Sequence, residues 1–222
     1  MKVPLRYQVT NNDCGPTSML NALSYLCERE EIPPEVLKYT YALMIDRHRG
    51  SKSPGGTSER AMAFCAHWLN DCAASVGFPV EALHLRGDDV AFTDDSLLVQ
   101  WVEKGGVAVT SCFLCNSDHY VLITGIERDE QDALAGARLF DPWYLDPEGS
   151  FAEGGQFAHM GSDVTFVHDE PFSCNRIVSA RLIEGCVKCD YSLTCNTPRE
   201  ATLLRRTTTD NLEDAYDDAN AL

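Results

Sequence analysis

Of the ten cysteines in the chain, Cys14 stands where a thiol can do chemistry. It lies in the run Gln8-Val9-Thr10-Asn11-Asn12-Asp13-Cys14-Gly15-Pro16-Thr17-Ser18. Met19, Leu20, Leu23, Leu26 and Cys27 then recur at the three- and four-residue steps of an amphipathic helix. Pro16 suits a first helical turn, where its missing N–H costs little. The pattern predicts a helix from about Pro16 to Glu30, with Cys14 just before or at its N-terminus. Unpaired N–H groups and the helix dipole there favour an anion. A thiol in that field ionises more readily, and the thiolate is the nucleophile.

A nucleophile needs a base and a group to orient the base. His119 opens the apolar run Tyr120-Val121-Leu122-Ile123-Thr124-Gly125-Ile126, which reads as a strand. A polar loop follows, then Ala137-Arg138-Leu139-Phe140-Asp141-Pro142-Trp143. Two strands joined by that loop place His119 near Asp141, with Asp118 and Asp146 as alternative orienting carboxylates. Gln8 precedes Cys14 by six residues. Its side-chain amide, with the Cys14 N–H, is a candidate oxyanion hole.

The residues Gln8, Asp13-Cys14-Gly15, His119-Tyr120-Val121-Leu122 and Asp141-Pro142 resemble, in order, the motifs of the C39 branch of the papain-like cysteine peptidases. The resemblance covers roughly residues 4–145. It implies an α+β papain-like fold, with an N-terminal helical lobe carrying the Cys and a C-terminal antiparallel sheet lobe carrying the His and Asp. It also implies hydrolysis of peptide bonds through a Cys14-His119-Asp141 triad, with Gln8 in the oxyanion hole and a thioester acyl-enzyme. Substrates would be peptides or proteins, in this family often leader peptides cut after Gly-Gly, and no cofactor or metal is needed. The same residues also fit an acyltransferase or amidase, in which an amine replaces water. A non-catalytic module that holds a leader-like peptide is a further reading.

The elements that must position these residues follow the same order. A second helix is expected after Pro33-Pro34, with Val36, Leu37, Tyr41, Met44 and Ile45 apolar. Residues 47–56 form a basic, Gly-rich loop. A third helix starts at Thr57 or Ser58 and carries Ala61, Phe64, Cys65, Trp68 and Leu69. A fourth is expected to be capped by Thr93 and to stop at Gly105-Gly106. Strands are expected over Val107–Phe113, His119–Glu127 and Ala137–Asp141, and more weakly over Val164–Val167 and Arg176–Ile183. Helices followed by strands indicate an α+β domain over residues 1–205. Residues 206–222, rich in Asp and Glu without an apolar period, read as a solvated acidic tail.

With 18 Lys and Arg against 34 Asp and Glu, the net charge is −16. That argues against binding to nucleic-acid phosphates, which needs a basic surface. It serves solubility, and it can steer a basic peptide. No stretch approaches the ~18 continuous apolar residues of a membrane span. Met1–Arg6 leads into no apolar signal region, so a free-standing cytoplasmic protein with reduced thiols is expected. The pairs Cys112–Cys115 and Cys186–Cys189, with Cys174 and Cys195 nearby, suit zinc by residue type. They lie too far apart for a sequence-readable zinc module, and unliganded thiols are expected instead. The oligomeric state is not legible.

Overall fold

The computed structural model describes residues 1–48, 55–158, 160–185, 188–193 and 198–207. Its centre is a seven-stranded sheet, antiparallel at every pairing, in the order β1-β7-β2-β3-β4-β6-β5. The strands are β1 (Val80–Arg86), β2 (Val107–Leu114), β3 (Ser117–Arg128), β4 (Leu134–Phe140), β5 (Val164–Phe166), β6 (Arg176–Ser179) and β7 (Glu200–Arg206). Helices α1 (Cys14–Leu26), α2 (Pro34–Met44) and α3 (Glu59–Val76) cover one face. Helices α4 (Leu97–Glu103) and α6 (Ala180–Ile183) cover the other. The short α5 (Pro147–Phe151) sets Phe151 against Phe157 and Phe166 on that second side.

Two apolar layers explain the uninterrupted run after His119. Side chains alternate across a strand. Tyr120 and Leu122 pack with α1–α3, while Val121 and Ile123 pack with the opposite layer. A strand buried on both faces loses the polar alternation of a half-exposed one. The β2–β3 connection is a tight hairpin turn whose two central residues, Cys115 and Asn116, take left-handed φ values of 49° and 61°.

Helix α1 departs from its expected amphipathic form. Twelve of its thirteen residues are buried, so its polar side is paired rather than solvated. Asn21 Oδ1 accepts from the Arg6 N–H and Asn21 Nδ2 donates to the Arg6 carbonyl, both at 2.9 Å. Ser18 Oγ donates to the Tyr120 carbonyl at 3.0 Å. The helix ends at Leu26, not Glu30, because Glu28 and Glu31 form a reciprocal capping box that begins a separate 3-10 turn.

Other boundaries shift for local reasons. Helix α3 is capped by Ser58, whose Oγ accepts from the Ala61 N–H. Helix α4 is capped by Ser96, whose Oγ accepts from Val99; Thr93, the expected cap, donates instead to Asp95. The expected strand Arg176–Ile183 stops at Ser179, where the Ser179 hydroxyl caps α6. Strands β1 and β7 were not anticipated, and they pair with each other from opposite ends of the chain. The body reaches past residue 205: β7 includes Arg206, whose guanidinium meets Glu31, and the Thr207 N–H donates to Pro79. The tail beyond Thr207 lies outside the described residues, as do most of the 47–56 loop, His159, Cys186 and Cys195. No helix among the described residues is long and apolar enough to cross a membrane.

Candidate active site

Cys14 is the first residue of α1, and Asp13 is its N-cap. Asp13 makes no side-chain cap to a helix N–H, although its Oδ2 accepts from the Thr17 hydroxyl at 3.5 Å. Its carboxylate accepts from the N–H groups of Val9 (3.1 Å) and Thr10 (2.7 Å) and from the Thr10 hydroxyl (2.6 Å). Burial alone would raise this carboxyl, but those donors outweigh it and hold it below its ordinary value. The segment from Val9 to Asp13 is thereby fixed as a turn ahead of the helix. Gly15 lets this end of α1 meet the start of the α3 segment, since a Cβ there would lie 2.3 Å from Thr57 Oγ1 and 2.8 Å from Thr57 Cβ.

The sheet brings the other two groups. His119 is near the start of β3, and Asp141 follows the last residue of the neighbouring β4. His119 Nε2 lies 2.7 Å from Asp141 Oδ1. That leaves Nδ1 for Cys14, and the two groups stabilise each other's charged forms. The backbone N–H groups of Tyr120 and Gly15 also favour the Cys14 thiolate. The Ser18–Tyr120 bond locks α1 to β3 beside this contact.

Asp141 has no exposed surface. Oδ1 also accepts from the Trp143 N–H at 2.8 Å, and Oδ2 accepts from the Tyr191 hydroxyl at 2.7 Å. Asn175 grips the main chain of the same residue, accepting from Asp141 N and donating to its carbonyl, both at 2.8 Å. Of the alternative carboxylates, Asp146 caps α5 through Gly149 N–H, and Asp118 lines the cleft without bonding His119.

The electrostatics separate Cys14 from six of the other described thiols. Burial opposes ionisation of Cys14, but the charge and hydrogen bond of His119 and two backbone donors outweigh it and pull its pKa down. Burial likewise opposes the imidazolium, yet Asp141 and Cys14 raise His119 well above its ordinary value. Burial disfavours the Asp141 carboxylate; His119 and Tyr191 reverse that and lower it. In contrast, burial pushes up Cys72, Cys115 and Cys174, takes Cys27 to about 11 and Cys65 to about 12, and raises Cys112 well above its ordinary value.

The backbone and side chain of Gln8 are both engaged in the segment ahead of the helix. Its backbone N–H donates to the Pro142 carbonyl at 2.9 Å, which ties the N-terminal segment to the Asp141-Pro142 turn. Its Nε2, however, donates to the Thr10 carbonyl at 2.6 Å, and its buried Oε1 has no partner. Gln8 is not among the residues lining the cleft over Cys14 and His119. Asn11 and Asn12 line that cleft of about 290 Å³, with Trp143, Asp118 and Glu200 among its other walls.

Sequence reasoning missed the support for Asp141. Tyr191 and Asn175 belong to segments 50 and 34 residues away and carried no motif. It also missed Glu200 and Glu59 at the cleft. Of the cysteine pairs, Cys112 is buried in β2 and Cys115 is exposed at the hairpin, where its thiol meets Gln156. Among the described residues, no three His, Cys, Asp or Glu side chains come together to hold a metal ion.

No protein-family model matches the chain, and no curated protein matches it in sequence. Among solved structures, the peptidase domain of Streptococcus mutans ComA is similar over 66% of this chain and 80% of that one, with 16% identity and a TM-score of 0.32. That likeness is too low to assign a function.

Proposed function

We propose that the protein is a cysteine peptidase acting by acyl transfer through Cys14. One observation carries this reading: Cys14 is a thiol whose ionisation is favoured, and it lines a cleft together with His119 of a buried His–Asp pair. The order of Cys14, His119 and Asp141 and the C39 resemblance agree with it.

In the proposed mechanism, the Cys14 thiolate attacks the scissile carbonyl, and the helix N-terminus stabilises the oxyanion through the Cys14 N–H. Gln8 is the second oxyanion donor once its Nε2 leaves the Thr10 carbonyl. His119 then gives its Nδ1 proton to the departing amine, leaving a thioester on Cys14. Water enters, His119 takes its proton, and attack on the thioester releases the carboxylic acid and restores the Cys14 thiolate beside the His119 imidazolium. Asp141 holds the imidazole with its Nε2–H inward and stabilises the imidazolium at both stages.

Brief iodoacetamide treatment at about pH 6 tests the reading, because an ordinary thiol near pKa ~8.5 is protonated there. A peptide map should show Cys14 alkylated first, with His119→Ala slowing that labelling. If Cys14 labels no faster than the exposed Cys115 in folded protein, the activated nucleophile is refuted.

A further inference from the structure

The wall of the cleft facing the nucleophile contains a carboxylate for which the mechanism above has no use. Glu200, the first residue of β7, is 7% exposed and lines the same cleft as Cys14 and His119. Its Oε1 accepts from the Tyr120 hydroxyl at 2.6 Å, whereas its buried Oε2 has no partner. A buried acceptor left unmet is costly, and such groups are normally satisfied by water, an ion or a ligand. Two further carboxylates, Asp118 at the start of β3 and Glu59 at the start of α3, line the cleft beside it. Among the described residues the opposing charges are Arg47, which also lines the cleft, Arg86, which binds Glu59 at 3.1 Å, and the His119 imidazolium, whose charge is matched by the Cys14 thiolate.

We propose that Glu200, with Asp118 and Glu59, forms a subsite for a positively charged side chain, so that the bound peptide carries a lysine or arginine next to the reacting carbonyl. The proposal rests on the peptidase reading only in taking the occupant to be a peptide. Three carboxylates against Arg47 and the shared Arg86 leave the wall negative, and the acidic protein as a whole steers cations toward it. An entering ammonium or guanidinium supplies donors to Oε2 and the missing countercharge. In the empty cleft, burial pushes Glu200 up to about 7, with Glu59 and Asp118 adding to the rise while the Tyr120 hydrogen bond and Arg47 oppose it. The subsite is therefore stronger at pH 8, where Glu200 is ionised, than at pH 6.

The test uses charged thiol reagents and needs no catalysis. A methanethiosulfonate reacts when the thiolate attacks its sulfenyl sulfur; a disulfide forms and methanesulfinate leaves. The rate at Cys14 is measured for the cationic 2-(trimethylammonium)ethyl reagent and the anionic 2-sulfonatoethyl reagent. Their ratio cancels the thiolate fraction. At pH 8 the cation-to-anion ratio should fall about three- to tenfold in Glu200→Gln and in Asp118→Asn, a range set by Coulomb attraction in a partly wet cleft. In the wild type the ratio should also fall between pH 8 and pH 6, and in Glu200→Gln it should not. Glutamine keeps an acceptor for Tyr120, and Asp118 is exposed, so both variants should fold. An unchanged ratio in both variants overturns the subsite, even if Cys14 proves to be an activated nucleophile. A ratio that responds as expected on a Cys14 that hydrolyses nothing upholds the subsite and overturns the peptidase reading.

Discussion

Replacing Asp141 by Asn separates charge from geometry at this site. Asp141 Oδ1 accepts two N–H groups, from His119 and Trp143, and Oδ2 accepts the Tyr191 hydroxyl. An amide can satisfy all three partners in one orientation. Its oxygen stays toward His119 and Trp143, its NH2 faces Tyr191, and the Tyr191 hydroxyl turns to accept. The flipped orientation would set NH2 against the Trp143 N–H and leave that donor unmet. The Asp141→Asn variant should therefore keep the Nε2–H tautomer of His119 and most of its stability. A loss below about 1 kcal/mol moves Tm by no more than ~4 °C in a chain of this size.

What it loses is the anion behind the imidazolium. Two unit charges ~5 Å apart at an effective dielectric of ~20 attract by about 3 kcal/mol. At 1.4 kcal/mol per factor of ten, the imidazolium–thiolate pair should be depopulated about a hundredfold. The pH profile of Cys14 alkylation should accordingly shift alkaline, and peptide turnover should fall by a similar factor. The assay is the alkylation rate of Cys14 from pH 5 to 9 beside a melting curve for the same protein. Wild-type alkylation at pH 6 would refute the charge argument. A collapse in Tm would refute the hydrogen-bond argument.

Three other substitutions probe the surroundings of the site. Tyr191→Phe removes a hydrogen bond to a buried carboxylate, worth about 1.5–3 kcal/mol; Tm should drop by roughly 4–10 °C, whereas a Tm within 1 °C of wild type would show that the hydroxyl contributes nothing. Gly15→Ala forces a methyl onto Thr57, and overpacking of about 1–3 kcal/mol should appear as a lower urea midpoint; an unchanged midpoint would mean that Thr57 yields freely. Glu200 is about 7 in the fold against about 4.5 unfolded, so its stabilising protonation is complete below pH 4.5 and lost as pH rises through 7. Glu200→Gln should therefore gain up to about 3 kcal/mol over wild type at pH 8 and nothing near pH 4.5; a difference that does not change with pH would show that Glu200 does not titrate in this range.

The parts of the site that were legible in the sequence are those whose placement is decided locally. Cys14 is marked by the helix it begins, His119 by the strand it opens, and Asp141 by the strand end and Pro142 that follow it. Each needs only its own element to be read correctly, and the sheet then brings the elements together. Gln8 was equally visible, but its side chain answers to a neighbour two residues away, the Thr10 carbonyl, and local spacing does not reveal that competition. The helix α1 was read correctly, but its polar face was not, for a related reason. Asn21, Ser18 and Thr17 look like a solvated face until their partners Arg6, Tyr120 and Tyr41 are known.

What remained illegible comes from far along the chain. Tyr191 reaches Asp141 because its N–H pairs with the Phe113 carbonyl on β2, a contact that no periodicity announces. Glu200 reaches the cleft because β7 inserts between β1 and β2, so the last described strand enters the sheet next to strands from the first half. A lone glutamate before an alternating run reads as a solvated strand end. Only the register of β7, with Glu200 opposite Arg86 and the Glu200 carbonyl held by Thr110, turns it inward beneath Tyr120. The proposed reacting groups are thus set by short segments, whereas their charge environment is set by the closure of the sheet. The same division predicts which variants will act through chemistry and which through folding: changes at Cys14, His119 or the Asp141 carboxylate alter reactivity in an intact protein. Changes that loosen β7 or the Tyr191 segment act on the site only by loosening the fold that holds it.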